Sequence, residues 1–419
     1  MSLDFEDLRK LMETGDVDGV VAYFRGVDEK GRRKLVKPVR AYGRGLATVT
    51  YQDTHSVPVD GIAGLGEVGR EDFQESRELL RVQRAVCCVA GVATLSGAED
   101  VAKWVATTTR AFGRYTLPAA AMIEVLADRA PEWLPLLPDT ICDRLGPLDA
   151  GALRLVDGLA AAAGVRPRPT DDYVHGWAEH WSDLGIGGAG YKGMRVDRAT
   201  REFVPRLFAF DAGDGFFAVD PDHRGPDHRG HVFVRLLGAG VLDRQAMLEG
   251  SLARMLRGGR IGPMRTHLDF WASMEPSGAD IAANAGSCIS LLASDNGSIA
   301  GRLAEDLRRS SDEGLLGVEP AVEAAARLVL RPERKLARAA IAWIDVLVRR
   351  YPDRVGELLV VASRAFGSQH ADVQEHALTV VAQHEGRAES DVVELLLAEA
   401  RLLLPADLAD RAATLLGDG

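Results

Sequence analysis

Apolar residues along most of the chain recur at positions i, i+3, i+4 and i+7, the spacing that places them on one face of an α-helix. Clear examples are FEDLRKLM, DVDGVVAYF, RELLRVQRAVCCVAGVA, AAAMIEVLADRA and VVELLLAEARLLL. Alternating apolar and polar residues, typical of strands, occur only in GLATVTY (45–51) and GFFAVD (215–220), and HVFVRLL (231–237) is ambiguous. The pattern predicts an all-α protein with at most one or two short β-hairpins.

The C-terminal half contains an internal repeat with a period of 37 residues. The helical segment that begins PERKLARAAIAWIDVLV, and the helical segment after it, have apolar residues whose counterparts 37 positions earlier and later are also apolar. In the first helix the matched sets are Ile299, Leu303, Ala304, Leu307; Leu336, Ala340, Ile341, Ile344; and Val373, Ala377, Leu378, Val381. In the second helix they are Val318, Ala321, Val322, Val329; Val355, Leu358, Leu359, Phe366; and Val392, Leu395, Leu396, Leu403. The period is close to that of HEAT and armadillo units, and the tetratricopeptide signature is missing, so we predict a HEAT/armadillo-like helical-hairpin repeat solenoid.

The repeat register fades upstream of about residue 295. The sequence therefore predicts a more irregular helical N-terminal region at 1–210, a connector at 211–235 and a HEAT-like repeat region at 236–419. The connector contains PDHRGPDHRGH (221–231), a five-residue unit that occurs twice and is followed by a third histidine. His223, His228 and His231 suggest a metal site, but the adjacent arginines disfavour a divalent cation. A duplicated exposed loop is the simpler interpretation.

The net charge of −11 argues against a general affinity for nucleic acid or for an anionic membrane, both of which need a positive field. Segment 25–44 is an exception, because it carries eight Lys or Arg residues against two acids. The candidate nucleic-acid contacts in this segment are Arg32, Arg33, Lys34, Lys37 and Arg40. The alternative is a solvated helix face that offsets the acidic remainder of the chain.

The sequence offers little support for an enzyme or a bound cofactor. The four cysteines (Cys87, Cys88, Cys142 and Cys288) form no CxxC motif and read as buried free thiols of a cytoplasmic protein. No GxSxG motif occurs, the GxGxxG match GLGEVG (64–69) does not follow a convincing strand, and GIGGAGYKG (185–193) lacks GK[ST]. The charged N-terminus predicts no signal peptide, and no apolar run is long enough for a membrane span.

One helical segment, PTDDYVHGWAEHWSDLG, carries a polar stripe with a spacing of four residues: Asp171, His175, Glu179 and Asp183. Such a stripe lies on one helix face, and a His-x-x-x-Glu pair can hold a metal or act in acid–base catalysis. The opposite face carries Tyr173, Trp177, Trp181 and Leu184. An ordinary amphipathic surface helix gives the same pattern, and no further ligands are evident, so we expect no metal site here.

Four stretches carry a resemblance to a known family: RVQRAVCCVAGVATLSGAEDVAKWV (81–105), APEWLPLL (130–137), VLDRQAMLEGSLARML (241–256) and HADVQEHALTVVAQH (370–384). In these stretches the chain resembles the bacterial domain-of-unknown-function family 6493, whose members have HEAT-like helical repeats. The resemblance implies a bacterial cytoplasmic repeat protein that acts as a scaffold or adaptor. It also implies a protein partner from a system containing a MoxR-like ATPase or a von Willebrand A-domain protein. It implies no active-site residues.

These observations together predict a non-enzymatic α-solenoid scaffold or adaptor that binds a protein partner. The alternative is a HEAT-like nucleic-acid-binding or DNA-repair protein that uses the basic segment 25–44. A metal-dependent enzyme built on the 171–183 stripe is the weakest of the three hypotheses.

Overall fold

A computed structural model describes residues 4–48, 70–112, 117–184, 188–218 and 229–417 of the chain. Within these ranges every regular element is a helix, which confirms the all-α prediction. The prediction of short β-hairpins is wrong for every part of the three segments that the structure describes. The described part of GLATVTY continues a long helix, the described part of GFFAVD begins with a short 3-10 helix, and HVFVRLL is α-helical. Local alternation in these short runs is overridden because their apolar residues are buried with helical spacing, as at Val232, Phe233 and Leu236.

The chain divides into two compact units, Met1–Leu207 and Phe208–Gly419. The first unit contains eleven described α-helices: α1 Phe5–Thr14, α2 Val17–Arg25, α3 Glu29–Thr48, α4 Arg70–Thr94, α5 Ala98–Phe112, α6 Ala119–Arg129, α7 Leu137–Leu145, α8 Ala150–Ala163, α9 Asp171–Asp183, α10 Gly190–Val196 and α11 Thr200–Arg206. Helix α4 is central, because it packs against α1, α2, α3, α5 and α6. All four cysteines of the chain are buried and free, as predicted. Burial raises the pKa of Cys88 to about 12, so this thiol stays protonated and unreactive at neutral pH.

The second unit begins with a 3-10 helix at Asp211–Phe217 inside the predicted connector. Residues 219–228, which hold most of the duplicated histidine sequence, lie outside the described residues. The unit then contains α12 Arg229–Gly238, α13 Arg244–Leu256, α14 Ile261–Ser273, α15 Gly278–Ala283, α16 Ala285–Leu291, α17 Gly297–Asp312, α18 Val318–Val329, α19 Arg334–Arg350, α20 Val355–Ser363, α21 Ala371–His384, α22 Ser390–Leu403 and α23 Ala406–Gly417.

Five helix starts of the second unit follow the period found in the sequence. Helices α17, α19 and α21 begin at Gly297, Arg334 and Ala371, each 37 residues after the previous one. Their partners α18 and α20 begin at Val318 and Val355, with the same offset. Helices α14, α17, α19, α21 and α23 form one row, called the first row below, and α13, α16, α18, α20 and α22 form the second row. Each helix of one row packs against a sequence neighbour in the other, which is the arrangement of a helical-hairpin repeat.

Hairpins of the same kind continue upstream of the residue where the sequence register fades. Helices α13 and α14 pack against each other, and α13 packs against α16 as α16 packs against α18. The register is lost in the sequence because the second-row helix of this repeat is broken at Asn284, between α15 and α16. A break changes the apolar spacing without changing the order of the stacked helices.

The apolar repeat positions are not equally buried at the end of the array. Leu358 and Phe366 of the α20 repeat are fully buried, because α22 packs over α20. Their counterparts 37 residues later, Leu395 and Leu403, are 47% and 43% exposed. Helix α22 is the last helix of the second row among the described residues, and no described second-row helix packs over these side chains. Among the described residues, no helix combines the length and apolarity that crossing a membrane requires.

Candidate functional site

The polar stripe of α9 lies opposite a buried aromatic face. Thr170 caps the helix by accepting a hydrogen bond from the backbone N–H of Tyr173. The Tyr173 hydroxyl donates to Asp157 Oδ1 at 2.6 Å, and Trp177 Nε1 donates to Asp197 Oδ2 at 2.8 Å. Both aromatic side chains are buried, and carboxylates at the edge of the core satisfy their polar ends. This face of the helix is used for packing.

Only three of the four residues of the stripe share one location on the surface. His175, Glu179 and Asp183 line one surface depression of about 580 Å³, with Arg154 on its wall, whereas Asp171 lies 3.7 Å from Arg206. In the described part of the chain, no three His, Cys, Asp or Glu side chains are grouped so that they could hold a metal ion. The stripe therefore has the form of the polar face of an amphipathic helix.

Two other sequence features fall largely outside the described residues. GLGEVG (64–69) is one of them, and His223 and His228 are the other. His231 lies in the first turn of α12, but its side chain also lies outside what the structure describes. In GIGGAGYKG, the described residues from 188 onward lead into the short helix α10.

The basic segment forms most of α3, and the structure corrects one of its five candidate contacts. Arg32 is only 6% exposed, and its guanidinium donates hydrogen bonds to the backbone carbonyls of Phe24, Val27 and Ala93 at 2.7–3.0 Å. Arg32 also stacks over the Phe24 ring. Its apolar neighbours on α3 are buried with the same helical spacing, which places Arg32 on the inner face. Arg32 is therefore a packing residue and cannot contact a nucleic acid.

The other four candidates are on the outer face of α3. Arg33, Lys34, Lys37 and Arg40 are all exposed. Arg40 lies 3.7 Å from Asp100 of α5, which neutralises part of its charge. Three cations without an ion pair among the described residues remain on a solvated helix face.

The structure points to a different candidate site, which lies between first-row helices of the repeat array. Neighbouring helices α19 and α21 are bridged by side chains along their line of contact. Asp372 of α21 accepts hydrogen bonds from Arg334 at 3.0 Å and from Arg338 at 2.5 Å, both on α19. Near the other end, Asp345 lies 2.7 Å from His384 Nε2. These contacts bridge α19 and α21.

The preceding pair, α17 and α19, lacks every one of these bridging side chains. The residues 37 positions before Arg334, Arg338 and Asp372 are Gly297, Gly301 and Lys335. Two glycines and a lysine therefore occupy the repeat positions at which two arginines hold an aspartate in the next repeat. The Glu333 carboxylate lies beside Gly297. The two helices do not pack together as closely as α19 and α21 do.

A groove of about 600 Å³, called the α17/α19 groove below, opens at this position. Its walls come from α17 and α19, and Leu328 of α18 contributes to its lining. A Cβ atom at Gly301 would have only ordinary contact, 3.6 Å from Leu336 Cδ2, so the missing side chain leaves real space. The volume is within the range of known binding clefts.

Several charged side chains and one hydrogen-bond donor in the α17/α19 groove have no partner among the described residues. Arg308, Lys335 and Glu305 line the groove, are exposed, and form no ion pair with any described residue. Trp343 also lines the groove and is 2% exposed, yet its Nε1–H has no hydrogen-bond partner in the described structure. Buried donors are normally satisfied, so this indole is a group that an incoming acceptor would stabilise. The groove has the properties of a binding site rather than of a catalytic centre.

A buried charged cluster, which sequence reasoning missed, lies elsewhere in the same unit. Asp214 accepts hydrogen bonds from Arg254 Nε at 2.7 Å and Nη2 at 2.6 Å, and its Oδ1 lies 2.7 Å from His267 Nε2. All three residues are buried. Rings of Phe208 and Phe217 lie within 5.6 Å of the imidazole, measured between centroids. We interpret this cluster as a structural element that fixes the 3-10 helix onto α13 and α14.

The buried imidazole should make the stability of the protein depend on pH. Burial lowers the pKa of His267 to about 4, and Arg254 adds to the effect although Asp214 opposes it. Between this value and the ordinary histidine pKa of about 6.5, the unfolded chain binds a proton that the folded chain excludes. We expect the free energy of unfolding to fall as the pH drops through this window, by up to about 1.4 kcal/mol per pH unit from this group. Urea unfolding at pH 7 and pH 5 measures the change, and His267→Gln should show a smaller loss than the unaltered protein.

No protein-family model matches the chain, and no curated protein matches it in sequence. The family resemblance carried by segments 81–105, 130–137, 241–256 and 370–384 therefore stays a prediction.

Proposed function

We propose that the chain is a non-enzymatic scaffold or adaptor that binds a protein partner on its helical-repeat unit. The observation that carries the proposal is the α17/α19 groove, which opens where the next repeat has a closed arginine–aspartate bridge. Repeat proteins of this kind bind through the surface between stacked units, and a local loss of bridging side chains makes such a surface accessible. On the basis of the family resemblance, the partner would belong to a bacterial cytoplasmic system with a MoxR-like ATPase or a von Willebrand A-domain protein.

Nucleic-acid binding by segment 25–44 has weaker support. Arg32 is internal, Arg40 lies close to Asp100, and the remaining cations are few for a chain with a net charge of −11. Affinity for nucleic acid depends on the number of phosphates that a protein neutralises. A metal-dependent reaction at the 171–183 stripe also has weaker support, because no three His, Cys, Asp or Glu side chains of the described residues are grouped as metal ligands there.

The proposal is tested by affinity capture from a lysate of the bacterium that encodes the chain. We expect the unaltered protein to retain at least one partner that the groove-filling variant Gly301→Arg does not retain. Because residue 338 is an arginine at the same position of the next repeat, this substitution suits the local helix geometry. The matched control is Ala398→Arg, which adds the same side chain to exposed α22. Retention of the same proteins by Gly301→Arg as by the control and the unaltered chain would contradict binding in the groove.

A further inference from the structure

We infer that the α17/α19 groove receives an extended peptide segment in which two acidic residues flank small apolar residues. This inference rests on the proposed function and specifies the chemistry of the partner. It combines the charge pattern of the groove, the apolar surface between its charged residues and the buried indole of Trp343.

The two unpaired cations lie toward opposite ends of the groove. Lys335 of α19 occupies the repeat position of Ser298 of α17, since the two are 37 residues apart. Arg308 is ten residues after Ser298 on α17, and is therefore ten residues farther along the groove than Lys335. At 1.5 Å per residue, this separation corresponds to about 15 Å. An extended peptide advances roughly 3.3 Å per residue and points successive side chains to opposite sides. Acidic side chains five positions apart would therefore reach Lys335 on one wall and Arg308 on the other.

The middle of the groove selects against a continuous acidic run. Gly301, Ala304, Leu336 and Ala339 present small or apolar surface there. Arg302 also lines the groove, but its charge is paired with Asp306. Glu333, the remaining charged residue of the lining, is paired with Arg331. Glu305 lies on α17 between the levels of the two cations and would repel a central carboxylate. The peptide that fits this pattern has an acid at each end and uncharged, compact side chains between them.

Trp343 supplies an independent indication that an acceptor belongs in the groove. Its Nε1–H is shielded from water and bonded to no described group, although the residue forms part of the groove lining. A carbonyl or carboxylate oxygen that enters beside the indole and comes within about 3 Å of Nε1 would satisfy it. The counterpart 37 residues later is Val380 of α21, whose side chain has no donor.

The inference can be tested by nuclear magnetic resonance of the full chain labelled with ¹⁵N at tryptophan. Comparison with Trp343→Phe identifies the indole signal of Trp343. The probe is the peptide acetyl-Ala-Glu-Ala-Leu-Ala-Ala-Glu-Ala-amide, whose two acids are five positions apart. We expect this peptide to move the Trp343 indole signal in a saturable manner, with the proton shifting downfield. The same peptide with glutamine in place of both glutamates should bind at least tenfold more weakly.

Variants separate the contributions of space and charge. Gly301→Arg should abolish the saturable shift by filling the groove, and Ala398→Arg should leave the shift unchanged. The double substitution Arg308→Ala with Lys335→Ala keeps the space open and should weaken peptide binding at least tenfold. Because these two side chains are exposed, the double variant should keep its fold, which thermal unfolding checks.

Three outcomes would overturn the inference. They are the absence of a saturable shift, equal affinity for the glutamine peptide, and an equal shift with succinate alone, which would indicate a small-molecule site. If the peptide fails while capture of a host protein still depends on Gly301, the proposed scaffold function survives and only the chemistry of its partner is wrong. If the peptide binds but no host protein depends on Gly301, the failure belongs to the scaffold function.

Discussion

Replacing Asp214 with alanine is expected to lower the free energy of unfolding of the protein by about 3–5 kcal/mol. The carboxylate is the shared partner of Arg254 and His267, both of which are buried. Its removal leaves a guanidinium with 4% side-chain exposure without its close counter-charge, and buried uncompensated charges are strongly destabilising. Urea unfolding at pH 7, followed by circular dichroism, measures the loss.

The chain provides a matched control in Asp211. This carboxylate lies 3.3 Å from Arg254, but its side chain is 89% exposed. Solvent screens such a pair, so Asp211→Ala should change the stability little. Equal losses for Asp211→Ala and Asp214→Ala would show that the buried geometry does not determine the effect.

A compensating substitution tests the cause more directly. If the loss in Asp214→Ala comes from the orphaned charge of Arg254, then adding Arg254→Met should recover part of the stability. An apolar side chain of similar length removes the unpaired charge and keeps much of the packing. A double variant less stable than Asp214→Ala would instead assign the effect of Arg254 to its other contact, the hydrogen bond to the Gly258 carbonyl at 3.1 Å.

The repeat could be predicted because it depends on short-range apolar spacing that recurs at a fixed offset. The starts of α17, α19 and α21 follow that offset without deviation. Upstream, the break at Asn284 changes the spacing within one helix, so the alignment fades although the stacking of hairpins continues. Periodicity detects helices, but it does not show which of them remain neighbours after an irregularity.

The exposure of Leu395 and Leu403 shows a second limit of prediction from apolar spacing. Both residues match buried positions of the previous repeat, so their sequence pattern predicts burial. Burial requires a helix that packs over them, and this depends on the position of the repeat in the array rather than on local sequence. Apolar spacing therefore identifies a surface suited to packing, but it does not show which element packs against that surface.

The α17/α19 groove could have been found from the sequence by comparing polar rather than apolar repeat positions. The same alignment places Gly301 beside Arg338 and Lys335 beside Asp372. The aligned residues in one repeat, arginine and aspartate, can form an ion pair, whereas those in the other repeat, glycine and lysine, cannot. This difference is visible in the sequence alone. The cluster of Asp214, Arg254 and His267 could not be found in this way, because its members come from irregularly spaced elements.

Replacing Arg32 with alanine is expected to destabilise the protein by about 3 kcal/mol, although this residue belongs to the most basic stretch of the chain. Its guanidinium satisfies the carbonyls of Phe24, Val27 and Ala93, which join the ends of α2 and α4 to α3. Each hydrogen bond from a charged donor contributes about 1.5–3 kcal/mol, and the alanine variant leaves buried acceptors unsatisfied. Thermal and urea unfolding measure the loss.

A substitution of the neighbouring Arg33 distinguishes the contribution of packing at Arg32 from that of its positive charge. Arg33→Ala removes the same charge from the exposed face of α3 and should leave the stability nearly unchanged. Arg32→Lys keeps the charge but cannot present three donors in the fixed planar geometry of a guanidinium, so it should recover only a small part of the loss. If Arg32→Lys were as stable as the unaltered chain, positive charge alone would account for Arg32, and its role in bridging the three carbonyls would be refuted. If Arg33→Ala were as destabilising as Arg32→Ala, the distinction between the inner and outer faces of α3 would fail, and Arg32 would return to the candidate nucleic-acid contacts.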